Sequence, residues 1–353
     1  MKKNTKIKSL IALAICAAAI LVLVFSLSSC KKEPFRFELS EDEKSYTLIG
    51  YNGKDTAVEI PAEHEGKPVT AIGREAFLDN GKIKSVIIPD SITSIGFKAF
   101  AGCTALTSVS FGHEVNEIGI SAFEGCTALT EIEIPEHVTS IEAAVFMDCS
   151  ALKKVTLPES VSSVTSYAFI GCDNLETISV ATENHHFAMR DGYLINLEDG
   201  TLVVGLASAN LTENCGVTSI APAAFYGRAI ERLTLPESVK SIGESAFYGC
   251  AKLASINILG AKSIGDHAFY GCKSMNRMLI GADMEEIGED AFADCQKLTM
   301  VFYDGNENAF KQITVGDGNR YLELADIYFY SGEKPEVEGK FWHYSDGNIA
   351  IWF

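Results

Sequence analysis

The side chains here that could bind metal, form bridges or attack a substrate are ten cysteines, seven histidines and 47 carboxylates. Seven of the cysteines share one setting: Cys103, Cys126, Cys149, Cys172, Cys250, Cys272 and Cys295 each stand three residues after a phenylalanine. If the units that carry them stack, equivalent atoms lie about 4.8 Å apart, whereas a disulfide needs Cβ atoms near 3.8 Å. The spacing therefore favours a column of buried thiols, behaving as small hydrophobes that hydrogen-bond turn backbone. There is no Cys-x-x-Cys and no Cys/His cluster, so no metal site is expected. His185-His186 is the single histidine pair. Neighbours on a strand point to opposite faces, so the pair chelates poorly and reads as a polar loop tip. No nucleophile elbow, P-loop or dinucleotide fingerprint occurs, and the scattered acids read as solvated surface. The expectation is a binding protein without catalytic residues or cofactor.

Two groups of residues remain as candidates for binding. The residue after the recurrent phenylalanine is Tyr226, Tyr248 and Tyr270 in three consecutive units, while Leu78, Ala101, Glu124, Met147, Ile170 or Ala293 fills that place elsewhere. Stacking predicts three phenol rings about 4.8 Å apart on the outside, offering apolar faces and polar tips to a sugar or an extended peptide. The second group is Glu131, Glu133, Lys153 and Lys154, on the outer side of predicted strands. The variable strand residue there reads Ile87, Ser110, Glu133, Thr156, Ser179, Thr234, Asn257, Leu279 and Phe302, mostly small and polar. Without central aromatic anchors, such a face suits broad contact helped by avidity.

The element that positions both groups is an internal repeat. Its phenylalanines are Phe77, Phe100, Phe123, Phe146, Phe169, Phe225, Phe247, Phe269 and Phe292, spaced 22 or 23 residues apart except for one interval of 56. Ile or Val stands five residues earlier in every unit, from Ile72 to Ile287, and Gly follows it in six of the nine. After the cysteine comes an apolar 1-4-6 triplet such as Leu129, Ile132 and Ile134, often closed by proline, as at Pro135 and Pro158. The triplet predicts a short strand with alternate side chains inward, and proline ends its pairing. Units this short cannot bury their own apolar face and must stack.

The unit L-x-x-V-x-I-P-x-x-V-x-x-I-G-x-x-A-F-x-G-C resembles the BspA-like, or Treponema-type, leucine-rich repeat. The resemblance implies a β-rich leucine-rich-repeat solenoid with a parallel sheet on one face, nine repeats of roughly 23 residues and β caps. It also implies bacterial surface or secreted proteins that bind host proteins, other cells or matrix, and it carries no catalytic residues.

Residues 57–302 form the predicted solenoid, with an extended repeat at about 181–217 whose Asp191-Gly192 and Asp199-Gly200 are hairpin signals. Residues 30–56 read as a linker and capping hairpin, and 303–353 as a C-terminal cap. Residues 1–29 read as a signal peptide: four lysines, an apolar run from Leu10 to Phe25, then Leu27-Ser28-Ser29-Cys30, which resembles a bacterial lipobox. Cys30 would then carry a lipid. The alternative is an uncleaved anchor, but sixteen apolar residues fall short of the about 20 that span a bilayer. Loss of the leader moves the formal charge from −18 to about −22, which repels nucleic acid.

The reading is therefore an extracytoplasmic protein, lipid-anchored to a bacterial membrane at the cell surface. Its partner is a host or neighbouring-cell protein, a matrix protein or a glycan. The alternative is a structural lipoprotein of the envelope, holding cell-wall polymer or another envelope protein of the same cell.

Overall fold

The computed structural model describes residues 33–352, which leaves Cys30 and the predicted leader outside the described residues. Each repeat makes one coil, and two short strands per coil build two parallel ladders. The first ladder uses the apolar triplet. Glu131–Glu133, Lys154–Leu157 and Thr177–Val180 lie side by side, so that Ile132, Val155 and Ile178 meet in register inside the coil. This is the parallel sheet that the repeat predicts. The second ladder is an addition to that expectation: Ser219–Ile220, Ser241–Ile242 and Ser263–Ile264 pair in parallel through only two residues each.

A third column of hydrogen bonds closes the coils. The N–H groups of Phe77, Phe100, Phe225, Phe247 and Phe269 each donate to an alanine carbonyl of the next coil at 2.7–2.8 Å. The turn is thus as fully paired as the strands, as buried backbone requires. Two residues after the phenylalanine, φ is positive in every unit, and the residue is Gly102, Gly125, Gly171, Gly227, Gly249 or Gly271, or else Asp79, Asp148 or Asp294. Left-handed backbone admits glycine freely and aspartate at small cost.

The phenyl rings stack down the axis, with centroids 4.8–6.0 Å apart from Phe77 to Phe169 and 4.9–5.2 Å apart from Phe225 to Phe292. Each is buried, and each stabilises the fold by about 1.5–3 kcal/mol. At the first coil an antiparallel hairpin, Phe35–Leu39 with Tyr46–Tyr51, covers the end of the stack, and the Tyr51 ring lies 5.5 Å from Phe77.

Besides the break at the long interval, both ladders are interrupted at one further place. Ser108–Ser110 does not pair with Glu131–Glu133, nor Glu117–Ile118 with Ser140–Ile141. The Phe123–Phe146 spacing there is 6.0 Å, the widest in the column, while the turn bond from Phe123 N–H to the Val145 carbonyl persists at 3.0 Å.

The long interval inserts three antiparallel strands, Phe187–Arg190, Tyr193–Asn196 and Thr201–Gly205, and the last of them joins the second ladder beside Ser219–Ile220. A Cβ at Gly205 would meet the Phe225 ring at 1.9 Å, so only glycine fits there. Arg228 occupies the position that holds cysteine in most units and is only 4% exposed. It donates to the carbonyls of Gly205 and Cys172, tying the coils on either side of the insertion.

Past Tyr303 the chain makes one further coil without the sequence signature. Thr314–Val315 extends the second ladder and Asp326–Tyr330 the first. Asn319, fully buried, accepts the Phe292 N–H at 3.0 Å where another coil would supply alanine carbonyl. A final hairpin, Phe341–Ser345 with Asn348–Ile351, continues the first ladder, and its Trp342 packs on the outward-pointing Leu279 and Phe302. Among the described residues no helix is long and apolar enough to cross a membrane.

Candidate functional site

The turn after each phenylalanine sets the direction of the following side chain. With Phe225, Phe247 and Phe269 stacked inside, Tyr226, Tyr248 and Tyr270 emerge on the outer corner, each half-buried. Their centroids are 4.8 Å apart at both steps, and the ring planes differ by 6° and 4°. The spacing is the one that stacking predicts. The rings largely cover one another's faces, however, so the column presents edges and a row of hydroxyls rather than a series of open faces. Burial, with Tyr248 alongside, raises the Tyr226 phenol above its usual range.

Neighbours extend this corner. His267 lies 6.0 Å from the Tyr270 ring and 3.7 Å from the Asp290 carboxylate. Tyr167 sits on the same side: burial and then the Glu244 carboxylate raise its phenol. The sequence reading missed Tyr167 because it falls two residues before Phe169, off the register of the other three. At that position the remaining units adopt positive φ, from Glu75 to Asp290, whereas Tyr167 lies in a one-turn 3-10 helix, Ser166–Phe169.

The second group lies elsewhere, on the outer side of the first ladder. Glu131, Glu133, Lys153 and Lys154 are all exposed. Glu131 stands opposite Lys154 in register and Glu133 opposite Thr156. Glu131, Glu133 and Lys154 line a shallow depression of ≈ 240 Å³ at the interruption of the ladders. The structure therefore does not bring the tyrosines and the charged residues into one site. Surface ion pairs do link adjacent coils, as Lys98–Glu124 at 3.1 Å and Lys262–Glu285 at 3.0 Å, and solvent screening keeps such contacts weak.

His185 and His186 are both exposed at the start of the insertion. Among the described residues no group of three or more His, Cys, Asp or Glu is placed to hold a metal ion. All eight described cysteines are free, seven of them buried and Cys215 half-buried.

A family profile described as "BspA type Leucine rich repeat region" matches residues 70–189 and 208–316, with six copies. Among solved structures, a leucine-rich repeat protein from Eubacterium ventriosum is 21% identical, with 90% of this chain and 98% of that chain covered and a TM-score of 0.60. The pneumococcal vaccine antigen PcpA is 19% identical, with 85% of this chain and 93% of that one covered and a TM-score of 0.56. At such identity these two share the fold. No curated protein matches the sequence.

Proposed function

The chain belongs to the BspA-type leucine-rich-repeat family, and from that premise we propose that it is a lipid-anchored, extracytoplasmic recognition protein rather than an enzyme. In this reading residues 1–29 are a signal peptide, residues 30–56 and 303–353 cap a solenoid of residues 57–302, and Cys30 carries the lipid. The partner is a host or neighbouring-cell protein, a matrix protein or a glycan. Replacing Cys30 with Ala should release the chain from the membrane fraction; unchanged partitioning and unchanged N-terminal processing contradict the anchor.

The observation that carries the binding reading is the tyrosine column. Three tyrosine rings stacked with centroids 4.8 Å apart on a rigid corner, presenting hydroxyls and apolar ring edges, suit a partner with repeated hydrogen-bonding groups. The turn does not require aromatic residues there, since Ala101, Glu124 and Ala293 fill the same position. A Tyr226→Ala, Tyr248→Ala, Tyr270→Ala variant, screened against glycans and matrix proteins, should bind at least tenfold more weakly than the parent. A variant that stays folded and binds as well as the parent reduces the column to packing. The strand-face residues Glu131, Glu133, Lys153 and Lys154 provide a second, broader contact in the same reading.

A further inference from the structure

The outer side of the first ladder carries a groove of ≈ 420 Å³, bounded by the strands Arg232–Thr234, Ser255–Ile258 and Arg277–Ile280 and by the C-terminal hairpin. In register, Arg232 stands opposite Ser255, and Ser255 opposite Arg277. Two guanidinium groups therefore flank one serine, their backbones two strand spacings, about 9.6 Å, apart. A smaller depression of ≈ 180 Å³ adjoins the groove and shares Arg232, Ser255 and Arg277.

The groove's own lining departs from the acidity of the chain, although the Asp304 and Glu237 carboxylates act on Tyr344 at its wall. The chain holds 47 carboxylates and a formal charge of −18, yet neither depression has an acidic residue in its lining. Both arginines are exposed, and among the described residues neither joins an ion pair. Unpaired guanidinium forks match carboxylate or sulfate oxygens in two-pronged geometry. Asn257 and Asn348 supply neutral amides, and the Tyr344 ring, 44% exposed, stands on the hairpin wall. Amides beside an aromatic ring recognise hydroxyl-rich rings by edge and face, and the volume is that of a small-ligand site.

We propose that this groove binds an acidic saccharide, its carboxylate or sulfate held between Arg232 and Arg277 over Ser255. The site is independent of the tyrosine column, on another side of the coil, so either can fail without the other.

The test is calorimetric titration of the full chain in detergent. The probes are a tetrasaccharide of alternating N-acetylglucosamine and glucuronate, its carboxyl-reduced counterpart and a sulfated heparin tetrasaccharide. At least one acidic sugar should bind tenfold or more tightly than the carboxyl-reduced one, and an Arg232→Gln, Arg277→Gln variant should lose at least tenfold in affinity. Because both arginines are exposed and unpaired, that variant should keep the parental unfolding temperature, and Tyr226→Ala, Tyr248→Ala, Tyr270→Ala should bind the probe normally. Equal affinity for the neutral sugar, full binding by the arginine variant, or binding of neither acidic sugar overturns the proposal. So does a hexaglutamate peptide that competes as well as the sugar, since the occupant would then be an acidic peptide.

Discussion

Each repeat cysteine spends its single donor one coil back. The Sγ atoms of Cys103, Cys126, Cys149, Cys172, Cys250, Cys272 and Cys295 lie 3.0–3.3 Å from the carbonyl oxygen of the phenylalanine in the preceding coil. Burial pushes the Cys103 and Cys250 thiols up to about 12, and the neighbouring Cys295 thiol, followed by burial, raises Cys272. A buried neutral thiol is a poor nucleophile, since attack needs thiolate and access. At pH 8, therefore, a thiol reagent should modify the half-buried Cys215 readily and the seven repeat cysteines only after unfolding without reductant. Rapid native labelling of all of them, or failure to label after unfolding, contradicts the column. The phenylalanine, isoleucine and cysteine columns were legible in the sequence because they recur. Asn184, Arg228 and Asn319 were not, because each occurs once, where the repeat breaks. All three are buried and replace a lost backbone partner: Asn184 donates to the carbonyls of Pro158 and Val161 and accepts the Phe187 N–H. A periodicity search is blind to a residue whose role is to repair a break in the period.

At the scale of elements, the strand of the apolar triplet was legible, and the Ser-Ile strand was not. Two residues are too few to display alternation, so Ile220, Ile242 and Ile264 read as core positions and not as strand positions as well. The C-terminal cap left a fainter trace. Leu279 and Phe302 break the run of small polar residues at the variable strand position, and the structure explains both: the final hairpin covers them, leaving each 2% exposed. The hairpin's grip is Trp342, fully buried with its Nε1–H donating to the Tyr303 carbonyl at 2.9 Å. Trp342→Ala should cost about 3–5 kcal/mol of the stability of the last coils. Denaturant unfolding followed by the fluorescence of Trp352 should show an earlier transition at that end. An unchanged midpoint would mean that the hairpin is dispensable to the array. The interruption between Ser108–Ser110 and Glu131–Glu133 had no sequence signal at all, since Ile132 and Ile134 keep the register through it.

Across the whole molecule, each coil contacts mainly its neighbours, so stability accumulates along the axis and both ends need covers. Tyr51 covers one end, and Asn319 with the final hairpin closes the other. What remains outside is long, acidic and rigid, with the tyrosine corner on one side and the first-ladder face on another. In the proposed reading these surfaces meet a partner beyond the cell that makes the protein. An amine-reactive reagent that cannot cross membranes, applied to intact cells, tests that claim most directly. Lys153 and Lys154 are exposed on the strand face and are the reporting sites. Outward display predicts modification of both on intact cells, to the extent seen after lysis, as read by mass spectrometry. Modification only after lysis would contradict the claim and favour a scaffold held inside the envelope.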